Sequence, residues 1–222
     1  MPQIIIIRHA KSDWSSFNSD FERGLNERGY RSCEIISREL KKRINLPDKF
    51  LISPAKRAQV TFEEIFFSWF QNKSISQLTY NEEILYGGSK FDILNLIKQN
   101  FSGIQTGVVI GHNPVLSELI NDMAFKNKKI LPSNLVTAGC IIFDYESSDY
   151  VNSNFKDGVV KEYIFPRQFM WIDYEFLYFG SLFSINAWMA SLWSFVIWRR
   201  VCWLAAISRA VLKLMFWDNL NS

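Results

Sequence analysis

Two histidines occur in the 222 residues, and each follows directly on a short apolar run, in Ile7-Arg8-His9-Ala10 and in Gly111-His112-Asn113-Pro114. Such a placement is hard to ascribe to packing. A neutral imidazole can attack as a nucleophile, and an arginine fork matches the oxygens of a phosphoryl group two at a time. Arg8 precedes the first histidine, and a third apolar run delivers Arg57 in Ser53-Pro54-Ala55-Lys56-Arg57. Two histidines and two arginines, brought together from three chain segments, suit phosphoryl transfer. The same histidines, surrounded by arginine and without a nearby carboxylate or cysteine set, suit a metal ion poorly. We therefore expect no metal and no other cofactor.

These residues can converge only if their runs are strands of one sheet that end at a common edge. Open α/β sheets bind ligands at that place, outside the carboxyl ends of the strands. Residues 1–165 alternate short β-rich runs with amphipathic stretches, the pattern of a wound α/β fold. Strands are predicted at Ile4–Ile7, Phe50–Ile52, Val108–Ile110, Cys140–Phe143 and Val159–Ile164. The first three are too apolar to alternate and are expected to be central, with helices on both faces. A helix over about 27–43 follows from Tyr30, Cys33, Ile36, Leu40 and Ile44, with a cap in Leu25-Asn26-Glu27. Pro54 opens a second helix carrying Val60, Ile65, Phe66 and Trp69. Phe91, Leu94 and Ile97 mark a third, and Pro114 with Val115, Leu119 and Met123 a fourth.

Four segments in order resemble the histidine phosphatase superfamily, and more closely its SixA-like branch of phosphohistidine phosphatases. They are Arg8-His9-Ala10-Lys11-Ser12-Asp13-Trp14, Asp20 through Gly29, Ser53 through Thr61, and Val109-Ile110-Gly111-His112-Asn113-Pro114. The resemblance spans about residues 3–165 and implies a phosphoglycerate mutase-like α/β fold with a mostly parallel central sheet. It implies that His9 attacks phosphorus and becomes phosphorylated while Arg8, Arg57 and His112 hold the oxygens. Arg23 matches an arginine that reaches the phosphate in this branch, although it could equally cap the next helix or pair with Glu27. Ser12 and Asn113 are further candidates for substrate contact.

Many members of the superfamily supply a proton to the leaving group from an acidic residue after the second helix, where this chain has Glu82 and Glu83. A solvated turn ahead of a helix is the plainer reading of those two. Ala10 stands where many members carry glycine, and alanine there is familiar in the SixA-like branch. The short loops at 14–20 and 66–79 leave no inserted cap domain, so an open site is expected.

Composition narrows the partners. A net charge of +3 with 25 basic and 22 acidic residues, and no Lys/Arg run, does not point to nucleic acid. Cys33, Cys140 and Cys202 lack paired spacing and read as buried small hydrophobes. Met1 leads directly into a strand pattern with no basic region and no long apolar region, so a cytoplasmic location is expected.

After about Phe165 the composition changes, and Trp171, Trp188, Trp193, Trp198, Trp203 and Trp217 account for six of the eight tryptophans. Two domains are therefore expected: a catalytic one over 1–166 and an apolar, helical tail over 167–222. Phe176 to Trp198 is 23 residues without a charge, long enough to cross a ~30 Å hydrocarbon core. Ser181, Ser184, Asn186, Ser191 and Ser194 weaken that reading. Arg199, Arg200, Arg209 and Lys213 would also fall on the far side of a single span, against the usual charge bias. Membrane association through 176–217, packing on the domain and an altered reading frame all remain open for the tail.

The expected partner is a phosphorylated protein or a small phosphorylated molecule. The leading reading is a phosphatase for protein phosphohistidine, the near alternative a phosphomonoesterase for a metabolite, and the different one an idle module that binds phosphate.

Overall fold

The computed structural model describes residues 1–15, 19–70, 75–126, 130–146 and 158–169, which fall within a compact unit, Met1–Met170. The expectations for the Trp-rich tail and for Cys202 lie outside the described residues. No helix among the described residues is long and apolar enough to cross a membrane.

Among the described residues seven strands form one sheet in the order β3-β2-β4-β1-β6-β7-β5. They are β1 (Gln3–Arg8), β2 (Lys49–Ile52), β3 (Thr79–Asn81), β4 (Thr106–Gly111), β5 (Ala124–Lys126), β6 (Cys140–Asp144) and β7 (Gly158–Ile164). β1, β2, β3 and β4 pair in parallel, β7 pairs in parallel with β5, and β6 runs antiparallel to both β1 and β7. The three expected central strands are indeed interior, and β6 and β7 fall where their apolar runs predict.

The helices are α1 (Glu27–Lys41), α2 (Lys56–Phe66), α3 (Ile84–Gly87), α4 (Lys90–Asn100) and α5 (Val115–Met123). Side-chain alternation along the central strands sorts the core into two layers. Ile5, Ile7, Phe50, Ile52, Val108 and Ile110 pack with α1 and α2 through residues such as Ile36, Leu40, Phe62 and Phe66. Ile4, Ile6, Leu51 and Val109 face the other way, onto Ile93 and Ile97 of α4 and Leu116 and Ile120 of α5. Burial on both faces explains why those strands read as unbroken apolar runs.

Several local signals are realised in detail. Asn26 caps α1, its Oδ1 accepting the Gly29 N–H at 2.9 Å. Glycine is required at 29 because a Cβ there would drive into the Lys11 carbonyl oxygen. This close approach seats α1 against the loop that follows His9. The helix expected to open at Pro54 begins instead at Lys56, whose N–H donates to the Phe21 carbonyl at 3.0 Å. A loop carbonyl thus meets an N-terminal donor that proline could not have supplied. In α4 the marker Phe91 is 64% exposed, and the buried face is carried by Ile93, Leu96 and Ile97.

Candidate active site

Strand register brings the chemistry together. β1 pairs with β4 so that Arg8 lies opposite Gly111, and β2 pairs with β4 so that Ile52 lies opposite Ile110. The ladder then extends by one residue at each strand end: His9 N–H donates to Gly111 C=O at 3.0 Å and Ser53 N–H to Ile110 C=O at 3.0 Å. His9, Ser53 and His112 consequently leave the sheet at one edge and one level. The two imidazoles stand with ring centroids 4.9 Å apart.

The Nδ1 of His9 lies 2.7 Å from the Ala10 carbonyl oxygen. A carbonyl only accepts, so Nδ1 carries the proton and Nε2 keeps its lone pair. Burial, then the Arg57 and Arg8 charges, lower the His9 pKa to about 4 against the pull of the Ala10 hydrogen bond and Asp20. Neutral His9 is therefore the resting form at physiological pH.

His112 Nε2 lies 2.7 Å from the Ser53 hydroxyl, and its Nδ1 is buried without a partner among the described residues. When the hydroxyl donates to Nε2, the ring proton sits on Nδ1 and offers an unpaired donor. Burial chiefly, with the neighbouring His9 and Arg57, lowers the His112 pKa to about 3.

The arginines are held by oxygen acceptors. Arg8 Nη1 donates to the Leu135 carbonyl at 2.8 Å, and its buried Nε has no described partner. Burial also lowers the Arg8 pKa from its ordinary value. Arg57 directs Nη1 to the Asp20 carbonyl at 2.5 Å and Nη2 to Asp20 Oδ2 at 3.0 Å. Arg23 pairs with Asp20 and lies with its guanidinium carbon 3.6 Å from the centre of the Trp14 ring. The alternative partner for Arg23, Glu27, instead pairs with Arg31, and the cap of α1 is Asn26.

Thr61 ties two parts of the site together, accepting the Ala10 N–H at 2.9 Å and donating to the Arg57 carbonyl at 2.6 Å. Ala138, at φ 56°, directs its N–H to the Arg8 and His9 carbonyls at 3.1 and 3.2 Å. The segment ahead of β6 thereby closes one side of the site.

The remaining sequence candidates fare differently. Ser12 is buried, and what holds it is backbone pairing with Leu25 and a bond from Asn26 to its carbonyl at 3.3 Å. Asn113 donates its amide hydrogens to Leu135 C=O, at 2.8 Å, and to Asn134. Its unpaired buried Oδ1 offers an oxyanion no donor. Asn113 as placed shapes the His112 loop. Glu82 stands on the catalytic edge, its N–H donating to Ile52 C=O at 2.9 Å, while Glu83 is exposed and opens α3. No described residue pairs with either carboxylate. Among the described residues no group of three or more His, Cys, Asp or Glu could hold a metal ion.

Residues missed by sequence reasoning are Asp20, Ser53, Thr61 and Tyr86. The first three lie inside segments already singled out, but their partners depend on how the loops fold back. Tyr86, whose hydroxyl donates to Asp20 Oδ2 at 3.0 Å and whose ring meets His112 edge-on at 5.4 Å, had no sequence signal.

Residues 4–83, which include Arg8, His9 and Arg57, match the model of the histidine phosphatase superfamily, branch 1. That stretch of the chain resembles the histidine phosphatase superfamily. His112 lies beyond the matched residues, and the fold carries the likeness further. The protein histidine phosphatase SixA solved with tungstate superposes with a TM-score of 0.60 at 20% identity, covering 75% of this chain and 98% of that one. The SixA protein of Agrobacterium tumefaciens gives 0.60 at 25%, covering 74% and 99%. A mycobacterial glucosyl-3-phosphoglycerate phosphatase gives 0.51 at 12%, covering 75% and 99%. No curated protein matches the chain in sequence. The expected SixA-like α/β architecture is thus the one observed.

Proposed function

We propose that this chain is a histidine phosphatase that removes phosphate from protein phosphohistidine through a phosphorylated His9. The observation that carries this reading is the hydrogen bond from His9 Nδ1 to the Ala10 carbonyl, which leaves a neutral Nε2 lone pair amid Arg8, Arg57 and His112. An idle phosphate-binding module would have no use for a lone pair so held.

In the first step Nε2 of His9 attacks phosphorus as the bond to the substrate nitrogen breaks, and that nitrogen leaves with the electron pair. Arg8, Arg57 and the Nδ1–H of His112 hold the three oxygens, so catalysis is mostly positioning and preorganised positive charge. In the second step water attacks phosphorus, loses its proton to solvent, and returns the electron pair to Nε2 as orthophosphate departs.

Two features support a phosphoramidate on a protein over a simple ester. A phosphoimidazole can take a proton from solvent on its far ring nitrogen and leave as neutral imidazole, whereas an alkoxide needs an acid beside it. Glu82 and Glu83 have no described partner to aim them at such an oxygen. An open groove of about 520 Å³ also begins at Asn113, next to His112, and is lined by Ser117, Glu118, Asn121, Ser133 and Asn134. Amides and hydroxyls of this kind suit the backbone of a polypeptide.

The test is phosphate release by the full chain from a phosphohistidine peptide and from an aryl phosphate, with His9→Ala alongside. We expect release that favours the peptide and vanishes in the variant. Equal or better release from the aryl phosphate would replace this reading with a phosphomonoesterase.

A further inference from the structure

Asp20 is the common partner of the residues around the phosphoryl site. Its carboxylate meets Arg57 Nη2 at 3.0 Å, the Tyr86 hydroxyl at 3.0 Å and the Arg23 guanidinium, while its carbonyl takes Arg57 Nη1 at 2.5 Å. Both arginine side chains are only 8% exposed, and the Asp20 side chain is 53% exposed, so the carboxylate lies outermost. Buried donors with no described partner, Arg8 Nε, Arg23 Nε and His112 Nδ1, remain at the same site.

Resting on the functional reading above, we propose that Asp20 is a positioning residue that clamps Arg57, Arg23 and Tyr86 in one frame and so aims the two guanidiniums at phosphorus.

Two other roles fit the geometry less well. As a proton donor Asp20 would have to be protonated; burial pushes its pKa up, but hydrogen bonds from Tyr86 and Arg57 and the arginine charges outweigh that and hold it below the ordinary carboxylate range. As a plug that yields to phosphate it would have to swing away. Its neighbour Phe21 is pinned through the bond from Lys56 N–H at 3.0 Å and an edge-on contact with Tyr86 at 5.3 Å. Rotation of the side chain alone would forfeit its hydrogen bonds to Arg57, Arg23 and Tyr86 together. Asp20 also cancels part of the repulsion among clustered cations, which keeps the empty site from splaying.

The experiment compares wild type, Asp20→Asn, Asp20→Glu and Asp20→Ala as full chains. It reads kcat and KM on a phosphohistidine peptide, orthovanadate binding by calorimetry, and the pH profile. Asp20→Asn keeps the shape but cannot hold both arginines, so kcat should fall by about tenfold or more, the scale at which small misplacements act. Vanadate affinity should stay within about threefold, because the cations remain, and Asp20→Glu should restore part of kcat. Asp20 raises the pKa of both histidines, so the acidic limb should also move to lower pH in Asp20→Asn.

Unchanged kcat in Asp20→Asn overturns the proposal. Tighter vanadate binding with higher kcat/KM would make Asp20 a competitor of the substrate, and loss of the alkaline limb alone would make it an acid. Parallel loss of kcat, vanadate binding and thermal stability would make it merely structural. Absence of turnover in wild type, by contrast, would overturn the functional reading itself and this proposal with it.

Discussion

The loops that follow β1 and β4 start from the same materials and end differently. Each leaves a central parallel strand, each presents a buried neutral histidine at the same edge, and β1–β4 register puts the two in step. At His9 the ring is fixed by a main-chain carbonyl, which leaves one assignment of the proton and one free lone pair. At His112 the ring is fixed by a hydroxyl, which can donate, so the inward nitrogen can carry a hydrogen. In the proposed mechanism one hydrogen-bond partner thus separates a nucleophile from an oxyanion holder.

Removing each ring breaks the comparison most sharply. His9→Ala should lower kcat by at least ~10⁴-fold and abolish labelling of the protein by radioactive phosphate. His112→Ala should lower kcat by about 10²–10³-fold, the usual cost of one oxyanion donor, yet still allow slow labelling. Labelling that persists in His9→Ala and disappears in His112→Ala would reverse the assignment.

Acid should sharpen it next. Both imidazoles have folded pKa values below the ordinary 6.5, so protons enter the unfolded chain first as pH falls. Stability is whole above pH 6.5 and declines as pH drops towards 4 for His9 and 3 for His112. The loss is about 3 kcal/mol for His9 alone if its full shift is expressed. Chemical denaturation at pH 7 and pH 4.5 should show it, less so in His9→Ala. Below pH 6.5 kcat/KM on an aryl phosphate, corrected for the substrate's own ionisation, should hold until about pH 4. An acidic limb at 6.5 would mean that the rings are not buried as described.

The smallest effect is expected from Ser53→Ala, which touches only one side of the comparison. Loss of the bond to His112 Nε2 should lower kcat by roughly 3- to 10-fold, the scale of one hydrogen bond, and leave His9 labelling intact. A similar loss in the rate of labelling itself would place Ser53 in service of His9 as well.

How legible was this in the sequence? The central strands were, because Ile4–Ile7, Phe50–Ile52 and Val108–Ile110 are buried on both faces, as is the apolar run of β6 at Cys140–Phe143. β3 and β5 were not, being three residues each, with β3 largely polar and at an edge, where burial selects little. Phe91 misled as a core marker because an aromatic at helical spacing does not reveal which face it serves. The meeting of Arg8, His9, Arg57 and His112 was legible because strand ends must meet at one edge. Asp20 and Tyr86 were not, since their pairing joins positions 66 residues apart through loops with no periodic pattern.

The antiparallel course of β6 has a consequence for how such a site can diversify. β1, β2 and β4 each leave the catalytic edge toward a helix, so the length of those turns is tied to packing on the sheet. β6 arrives at that edge instead, and the chain ahead of it is tied at Asn134 and Leu135, by Asn113, Ser117 and Arg8, and at Ala138 and Gly139, by Arg8 and His9; ahead of those ties lies the stretch 130–133, leading into the groove wall. Residues added there would lengthen a wall without shifting the register of β1 on β4. Enclosure of small substrates or exposure to large ones can therefore be traded in one segment, while the two histidines keep their separation.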